Sequence, residues 1–290
     1  MALVCINPPL VEPVTLAELK EMLRMDTGDT SQDAVLAGLN AAARGWCETI
    51  CHRRFVRQTW RLLMDFFPGY IDLKLAGQKV SSPFVSGSNA VLVGIRYAIV
   101  LPYPPVQAIE AFAYLNANGT ETDLVSTPGS FVQDLDSQPA RLAPPFGQMW
   151  PVARVVPNAV RVDYRLGYAS PVTVTASTSS TATASPAFTA AHVGRPLSIP
   201  GAGPNRGTLN TVIQSVDGSG NATLRDQPAA DVSAIAALLV DYGNPAHWEL
   251  VKLAIKFLVN SWYVKRMPSF DAATRDVIKA LLSPATDLRF

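Results

Sequence analysis

The chain has 290 residues, a mass of 31.1 kDa and a formal net charge of +1 at pH 7. A chain of this length is long for one hydrophobic core and predicts two structural units. Its near-neutral charge excludes a protein held to nucleic acid mainly by bulk positive charge. Charged residues make up 16% of the chain, below the roughly 25% usual for globular proteins, which favours a subunit that buries much of its surface in an assembly.

The first predicted element is a short helix from Leu16 to about Met25. Thr15 and Glu18 have the capping-box spacing, in which each side chain bonds the backbone amide of the other residue. A longer helix is predicted to start after a cap at Thr30 or Ser31 and to end near His52. Its apolar residues recur at spacings of three and four, which predicts a buried stripe that includes Leu36, Leu39 and Trp46.

From Phe55 to Gly167 the pattern changes to short, β-rich runs. The predicted strands are Gln58–Asp65, Ile71–Leu75, Val91–Val100, Val106–Leu115, Phe131–Asp134, Ala140–Leu142 and Val160–Arg165. Asn116–Gly119 has the composition of a hairpin turn, because Asn and Gly tolerate positive φ.

The composition changes sharply at Pro171. Ten of the next twenty residues are Ser or Thr, and residues 171–243 carry three Arg, four Asp and no Lys or Glu. Five short candidate strands in this segment predict a small all-β unit with a sandwich-like arrangement: Val172–Ala176, Pro196–Ile199, Leu209–Val216, Ala222–Leu224 and Ala237–Tyr242. The Ser/Thr run itself is either a flexible linker or the start of a strand.

Two helices end the chain. Pro245 is expected at the first position of a helix whose apolar stripe includes Leu253, Phe257 and Trp262. A shorter helix follows after a cap at Asp271 and stops before Pro284. Because the helices at both ends of the chain have apolar stripes, we expect them to pack together.

The predicted fold class is α+β. Residues 1–170 and 244–290 form a core of helices with an antiparallel β portion, and residues 171–243 form an inserted all-β domain.

Residue patterns for catalysis or metal binding are few. The sequence has no P-loop motif, no His-Glu-x-x-His motif and three histidines. Cys47 and Cys51 are four residues apart on one helix and are interpreted as small core residues, since no second pair completes a zinc site. The three cysteines, with Cys5, fit a reducing compartment rather than a disulfide framework. No catalytic, cofactor or metal residues are predicted, and the protein is expected not to be an enzyme.

The basic cluster Arg53, Arg54 and Arg57 leaves two interpretations open. These side chains contact phosphate groups, or they lie at a solvated helix end or in a subunit contact, where Arg is common. The longest apolar stretches fall far short of about 20 residues, so no membrane-spanning segment is expected.

Several segments, taken in their order and spacing, resemble a known family. They are Val14–Arg24, Asp33–Glu48, Arg53–Trp60, Pro104–Ile109, Pro139–Leu142, Trp150–Pro151, Ala159–Tyr168 and Leu253–Arg266. Together they are similar to the head–tail connector (adaptor) proteins of tailed phages. The inserted segment departs from that family and resembles β modules of phage tail and fibre proteins, through Ala187–Gly203, Leu209–Ile213 and Thr223–Leu224.

This resemblance implies a non-enzymatic ring subunit, usually present in twelve copies, that docks beneath the portal and extends the DNA channel towards the tail. The implied partners are the portal protein, tail proteins (stopper, nozzle or terminator), identical subunits, and double-stranded DNA that passes without sequence-specific binding. No cofactor and no membrane contact are implied. The implied location is the head–tail interface of the virion, after assembly in the host cytoplasm.

The C-terminal segment is the expected portal-docking element, with apolar anchors. The residues predicted for this role are Ile278, Leu281, Leu282, Leu288, Arg289 and Phe290. An alternative function is an adhesin-like or fibre-attachment module whose β insert binds glycan or another virion protein. Sugar binding favours exposed aromatic residues, and the insert offers Phe188 and Tyr242.

Overall fold

The computed structural model describes residues 1–26, 28–68, 97–240, 247–266 and 272–286. The predicted strand Ile71–Leu75, most of the predicted strand Val91–Val100, and Pro245 lie outside these ranges. The described chain divides into two compact units. The first comprises Met1–Pro8 and Gln58–Leu166, and the second comprises Pro9–Arg57 and the described residues from Gly167 onward.

The first unit is built from antiparallel strands. They are β1 (Ala2–Asn7), β2 (Gln58–Met64), β3 (Ile99–Leu101), β4 (Val106–Leu115), β5 (Glu121–Asp123), β6 (Val132–Asp134), β7 (Ala140–Ala143) and β8 (Val160–Leu166). One sheet has the order β1-β2-β8-β4-β5 and a smaller one has the order β3-β7-β6. The predicted strands in this region are confirmed where they are described, and Gly119, with φ of 82°, forms the predicted hairpin turn between β4 and β5.

The core of the first unit lies on one side of the five-stranded sheet. Leu62, Phe112 and Tyr164 are fully buried there. The Tyr164 hydroxyl donates a hydrogen bond to the Pro102 carbonyl oxygen at 3.2 Å, so the polar end of this buried ring is satisfied.

Among its described residues, the second unit contains four α-helices and six strands. The helices are α1 (Leu16–Leu23), α2 (Asp33–Cys51), α3 (Trp248–Lys265) and α4 (Ala272–Thr286). The Thr15–Glu18 capping box is present at α1. The predicted cap of α2 is wrong, because Gln32 occupies that position and makes no side-chain capping bond. Within the described ranges, no helix combines the length and apolar content that a bilayer crossing needs.

The helices pack around one apolar cluster, as expected from their stripes. Leu36 of α2, Ile255 of α3 and Ile278 of α4 are fully buried in it. The predicted packing of the N-terminal helices against the C-terminal helices is therefore confirmed.

The strands of the second unit close into a barrel. They are β9 (Ala169–Ala176), β10 (Thr181–Ser185), β11 (Pro196–Ile199), β12 (Leu209–Val216), β13 (Ala222–Leu224) and β14 (Val232–Val240), in the cyclic order β10-β13-β12-β11-β14-β9. The α+β class with an all-β segment is confirmed. The sandwich-like detail is corrected to a barrel, because β9 pairs with both β10 and β14 and so joins the two ends of the sheet.

The barrel and the helices share buried residues. Leu238 and Val240 of β14, with Ala169 of β9, belong to the same apolar cluster as the helices. The two compact units described above do not coincide with the predicted domain boundaries at residues 171 and 243. Those boundaries describe an inserted domain that folds independently, and this stays a prediction.

Gly167 occupies a position that only glycine fits. Its φ is 124°, and a Cβ there would lie 2.6 Å from the backbone nitrogen of Arg57 and 2.6 Å from the backbone carbonyl of Val56. The next residue but one, Ala169, accepts a 2.7 Å hydrogen bond from the Arg57 amide. The close approach of these two backbone segments therefore depends on the missing side chain.

We expect Gly167→Ala to destabilise the protein by about 2–4 kcal/mol, because it combines a left-handed backbone with a backbone clash. Urea unfolding followed by tryptophan fluorescence measures this loss. Gly38→Ala on the exposed side of α2, where a Cβ meets nothing within 4 Å, is the control and should stabilise by about 0.5–1 kcal/mol. Equal midpoints for the two variants would contradict the expectation.

Candidate functional site

A buried polar cluster, here called the Glu18 cluster, lies inside the second unit. The Glu18 carboxylate accepts hydrogen bonds from the Lys252 Nζ at 2.6 Å and from the Asn210 Nδ2 at 2.9 Å. Lys256 Nζ lies 3.4 Å from the same oxygen. The side chains of Lys252 and Glu18 are 1% and 5% exposed. Helix α1, helix α3 and strand β12 therefore meet at one ion pair.

Local folding of α1 positions the Glu18 carboxylate. Glu18 is the third residue of the helix, where its Oε2 accepts a 2.9 Å hydrogen bond from the Thr15 backbone amide. The Thr15 hydroxyl in turn lies 2.5 Å from the hydroxyl of Thr208, just before β12. The capping box thus joins α1 to the barrel while it satisfies the end of the helix.

The barrel side of the cluster is a short hydrogen-bonded chain. The Asn210 Oδ1 accepts from Lys252 Nζ at 2.9 Å and from the Ser198 hydroxyl at 2.7 Å. Asn210 therefore donates to the carboxylate and accepts from the ammonium at the same time. Such mutual satisfaction is what allows a charge to be buried.

The protonation of Glu18 follows from this environment. Burial alone raises the pKa of the Glu18 carboxyl. The nearby ammonium groups of Lys252 and Lys256 and the hydrogen bonds from Lys252 and Thr15 lower this pKa by a larger amount, so that it falls from the ordinary value of 4.5 to about 2. The carboxylate is thus charged at neutral pH and fully occupied by its own chain. The arrangement of the Glu18 cluster is suited to holding α1, α3 and β12 together.

Sequence reasoning did not find Lys252. The signal was present: Trp248, Lys252, Ile255 and Val259 are spaced by four, three and four residues, so the lysine stands in a core position of the helix. A lysine at such a position predicts a buried carboxylate partner.

The predicted helix-bundle residues divide into three groups. Leu36 and Trp262 lie in the buried cluster, and Leu39 and Trp46 pack against its edge. The prediction is wrong for Leu253 and Phe257, which are each 38% exposed. The reason is that α3 is apolar on two sides, and the side that includes Lys252 faces the core.

The predicted basic contact at Arg53 and Arg54 is also corrected, because both side chains are buried. The Arg53 guanidinium lies over the Tyr168 ring and donates to the Tyr168 hydroxyl. Arg54 lies 3.4 Å from the Glu48 carboxylate, which also accepts from Arg44 at 2.8 Å. These two guanidinium groups hold the end of α2 in place and are not available to phosphate.

Arg57, the third member of that cluster, is half-buried. Its backbone amide donates to Ala169. The structure therefore does not bring the three arginines together on one exposed surface.

Two of the predicted portal-docking residues, Ile278 and Leu282, are fully buried in the helical cluster, and Leu281 packs against it. The apolar face of α4 is therefore used within the chain, which corrects the prediction for Ile278 and Leu282. Leu288, Arg289 and Phe290 lie outside the described residues.

Cys47 and Cys51 are buried in the same cluster. Burial raises the pKa of both thiols, to about 12 for Cys51, so they are neutral at physiological pH. Within the described ranges, no three His, Cys, Asp or Glu side chains are grouped closely enough to hold a metal ion. Phe188, one of the aromatic residues considered for sugar binding, lies in the barrel core, and Tyr242 is outside the described residues.

Each unit exposes apolar side chains of its own. In the first unit, Phe146 is fully exposed and Val155 almost fully so, on the segment between β7 and β8. In the second unit, an open groove of about 700 Å³ lies between the start of α2 and the end of α3. The groove is lined by Gln32, Val35, Leu39, Trp262, Tyr263, Val264 and Arg266.

Exposed apolar surface of this kind is typical of proteins that function in an assembly. Val264 in the groove is 69% exposed.

No protein-family model matches the chain, and no curated protein matches it. Among solved structures, a chain of the "Virion of native gene transfer agent (GTA) particle" is similar with a TM-score of 0.52 and 15% identity, covering 100% of this chain and 97% of that one. A chain of the "Neck of empty GTA particle computed with C6 symmetry" is similar with a TM-score of 0.51, 15% identity and the same coverage. The likeness extends over both chains and concerns the fold.

We expect Lys252→Met to destabilise the protein by about 3–5 kcal/mol, because it leaves a buried carboxylate without its closest partner. The matched control is Lys256→Met, which removes a more exposed and more distant ammonium and should cost under about 1 kcal/mol. The double variant Glu18→Gln/Lys252→Met should recover part of the loss. Urea unfolding measures all three, and equal losses for the two single lysine variants would refute the assignment.

The Glu18 cluster also predicts an acid-sensitive contribution to stability. Because the folded pKa is about 2 and the ordinary value is 4.5, this contribution is complete above pH 4.5 and disappears as the pH falls towards 2. Its full size is roughly 3 kcal/mol. The free energy of unfolding of Glu18→Gln should therefore vary less between pH 5 and 2 than that of the wild type. The exposed Glu21→Gln on the same helix is the control and should keep the wild-type slope.

Proposed function

We propose that this protein is a structural head–tail adaptor of a tailed, phage-like particle. In this role it forms a ring beneath the portal, extends the DNA channel and docks the tail. Twelve copies are proposed for the ring. Its location is then the head–tail interface of the virion, following assembly in the host cytoplasm, and it performs no catalysis.

The observation that carries this proposal is the likeness in fold to a chain of a gene transfer agent neck, over 100% of this chain and 97% of that one. A likeness that spans helices, sheet and barrel together is more informative than one that covers a single module. It supports a neck role together with the segments that resemble adaptor proteins in the sequence.

The exposed apolar surfaces support assembly into a ring. A closed ring of identical subunits needs two different complementary faces on each subunit. The chain offers apolar surface in each unit, at Phe146 in the first and at Val35 and Val264 in the second. Side chains of this type form the anchors of obligate interfaces.

The portal and tail proteins are the proposed partners, with double-stranded DNA passing through the ring. Because Ile278 and Leu282 are committed to the helical core, the portal contact is assigned to the residues that follow α4, with Leu288 and Phe290 as apolar anchors.

Electron microscopy of the purified protein, alone and mixed with the portal of the same particle, tests this function. The proposal expects rings that stack on the portal. A protein that stays monomeric at micromolar concentrations and does not join portal rings would overturn it.

We expect Phe146→Ser to weaken ring formation at least tenfold, because a fully exposed aromatic side chain is the strongest single candidate for an interface anchor. The control is Val193→Ser, which removes an exposed apolar side chain from the barrel region and should leave ring formation within about twofold. Light scattering after size exclusion measures the ring fraction, and thermal unfolding checks that both variants fold. Unchanged ring formation by Phe146→Ser would exclude this residue from the interface.

A further inference from the structure

The ends of α3 and α4 carry an exposed group of basic side chains, here called the α3–α4 cationic surface. It consists of Lys265, Arg266, Arg275 and Lys279, all of which are exposed. Among the described residues, none of the four takes part in an ion pair. By contrast, ten other described Lys and Arg residues form ion pairs: Lys20, Arg44, Arg54, Arg61, Arg141, Arg161, Arg165, Arg225, Lys252 and Lys256.

These four cations lie on either side of the short connection between α3 and α4. Lys265 is the last residue of α3 and Arg266 follows it, while α4 begins six residues later. Six residues span at most about 20 Å, so the start of α4 lies within that distance of the end of α3. Arg275 and Lys279 are one helical turn apart, which places them about 6 Å from each other along the axis of α4.

The two basic residues of α4 are exposed although they neighbour the buried residues of this helix. Ile278 and Leu282 are buried against the bundle. Arg275 and Lys279 lie seven and three residues before Leu282, so they flank this buried stripe, and both are exposed. Asp276 is the exposed acidic residue on the described part of this face. The surface is therefore positively charged in a chain whose total charge is only +1.

We propose that the α3–α4 cationic surface contacts the phosphate backbone of double-stranded DNA. Charge complementarity selects a polyanion as the partner. The basic residues include two lysines, which are depleted from the centres of protein interfaces, and the outer face of α4 offers no exposed aromatic anchor among its described residues. Both features favour DNA over an acidic protein.

This inference rests on the proposed function, in which a ring surrounds passing DNA, and it identifies the surface that faces the channel. Four cations in each subunit give a contact that is weak, independent of sequence and sensitive to salt. Such a contact centres the duplex and still permits it to slide, since phosphate contacts of this kind exchange readily along the backbone.

The test uses the full-length protein and a fluorescein-labelled 30-bp duplex, with binding measured by anisotropy over a series of salt concentrations. The variant Lys265→Gln/Arg275→Gln/Lys279→Gln removes three of the four cations. The control Arg154→Gln/Arg206→Gln/Arg225→Gln removes three exposed cations from elsewhere, so the change in net charge is matched.

We expect the wild-type protein to bind the duplex at low salt, with an affinity that falls as salt rises. The cationic-surface variant should bind at least tenfold more weakly, and its log–log salt slope should shrink by about 0.9 for each lost phosphate contact. The control should stay within about twofold of the wild type. Poly-glutamate at equal charge concentration should compete less well than unlabelled duplex.

Three results would overturn the inference. They are no binding by the wild type at low salt, equal weakening of the control, or competition by poly-glutamate as strong as that by duplex, which would assign the surface to an acidic protein. Ring formation is scored by electron microscopy on the same samples. Intact rings that fail to bind DNA would remove this inference alone and leave the proposed function standing.

Discussion

The ion pair between Glu18 and Lys252 is the contact on which the second unit depends. It joins a helix from the start of the chain, a helix from the end and, through Asn210, a barrel strand from the middle. A buried charge pair with incomplete partners is costly. Here each charge is matched and the surrounding lone pairs are occupied, so the pair also specifies one arrangement of these elements. The apolar cluster around Ile255 and Leu238 supplies the bulk of the burial, and the ion pair fixes the register within it.

The charged side chains inside the protein differ in their surroundings from the side chains on its surface. In the interior, guanidinium and ammonium groups form ion pairs with carboxylates of the same chain, as Arg54 does with Glu48. Outside, the chain shows apolar residues such as Phe146 and a small group of basic ones near Lys279. This division fits the function proposed above, and it accords with the low charge content of the sequence.

How much of this architecture the sequence reveals depends on the element. Strand Val106–Leu115 was predicted with the right bounds, because apolar alternation and flanking turn residues act locally. Strand Thr181–Ser185 was missed, since a Ser/Thr run is equally typical of a linker until its partners β9 and β13 are known. Phe257 is exposed although it was predicted in the core, because α3 is apolar on two sides and only tertiary packing decides which side is buried. The buried side is the one that includes Lys252. Local sequence patterns therefore predict an element well only where its structure does not depend on partners that are distant in the sequence.

The barrel is bound to its surroundings through specific atoms. Asn210 bonds Glu18 and Thr208 bonds Thr15, at positions nearly two hundred residues apart in the chain. Asn210 also bonds Lys252, which lies 42 residues further on. A different barrel in this place would need an amide at the position of Asn210, because this side chain bonds both charges of the buried Glu18–Lys252 pair. The sequence of the barrel is therefore constrained by residues of α1 and α3, which come before and after it in the chain, as well as by its own fold.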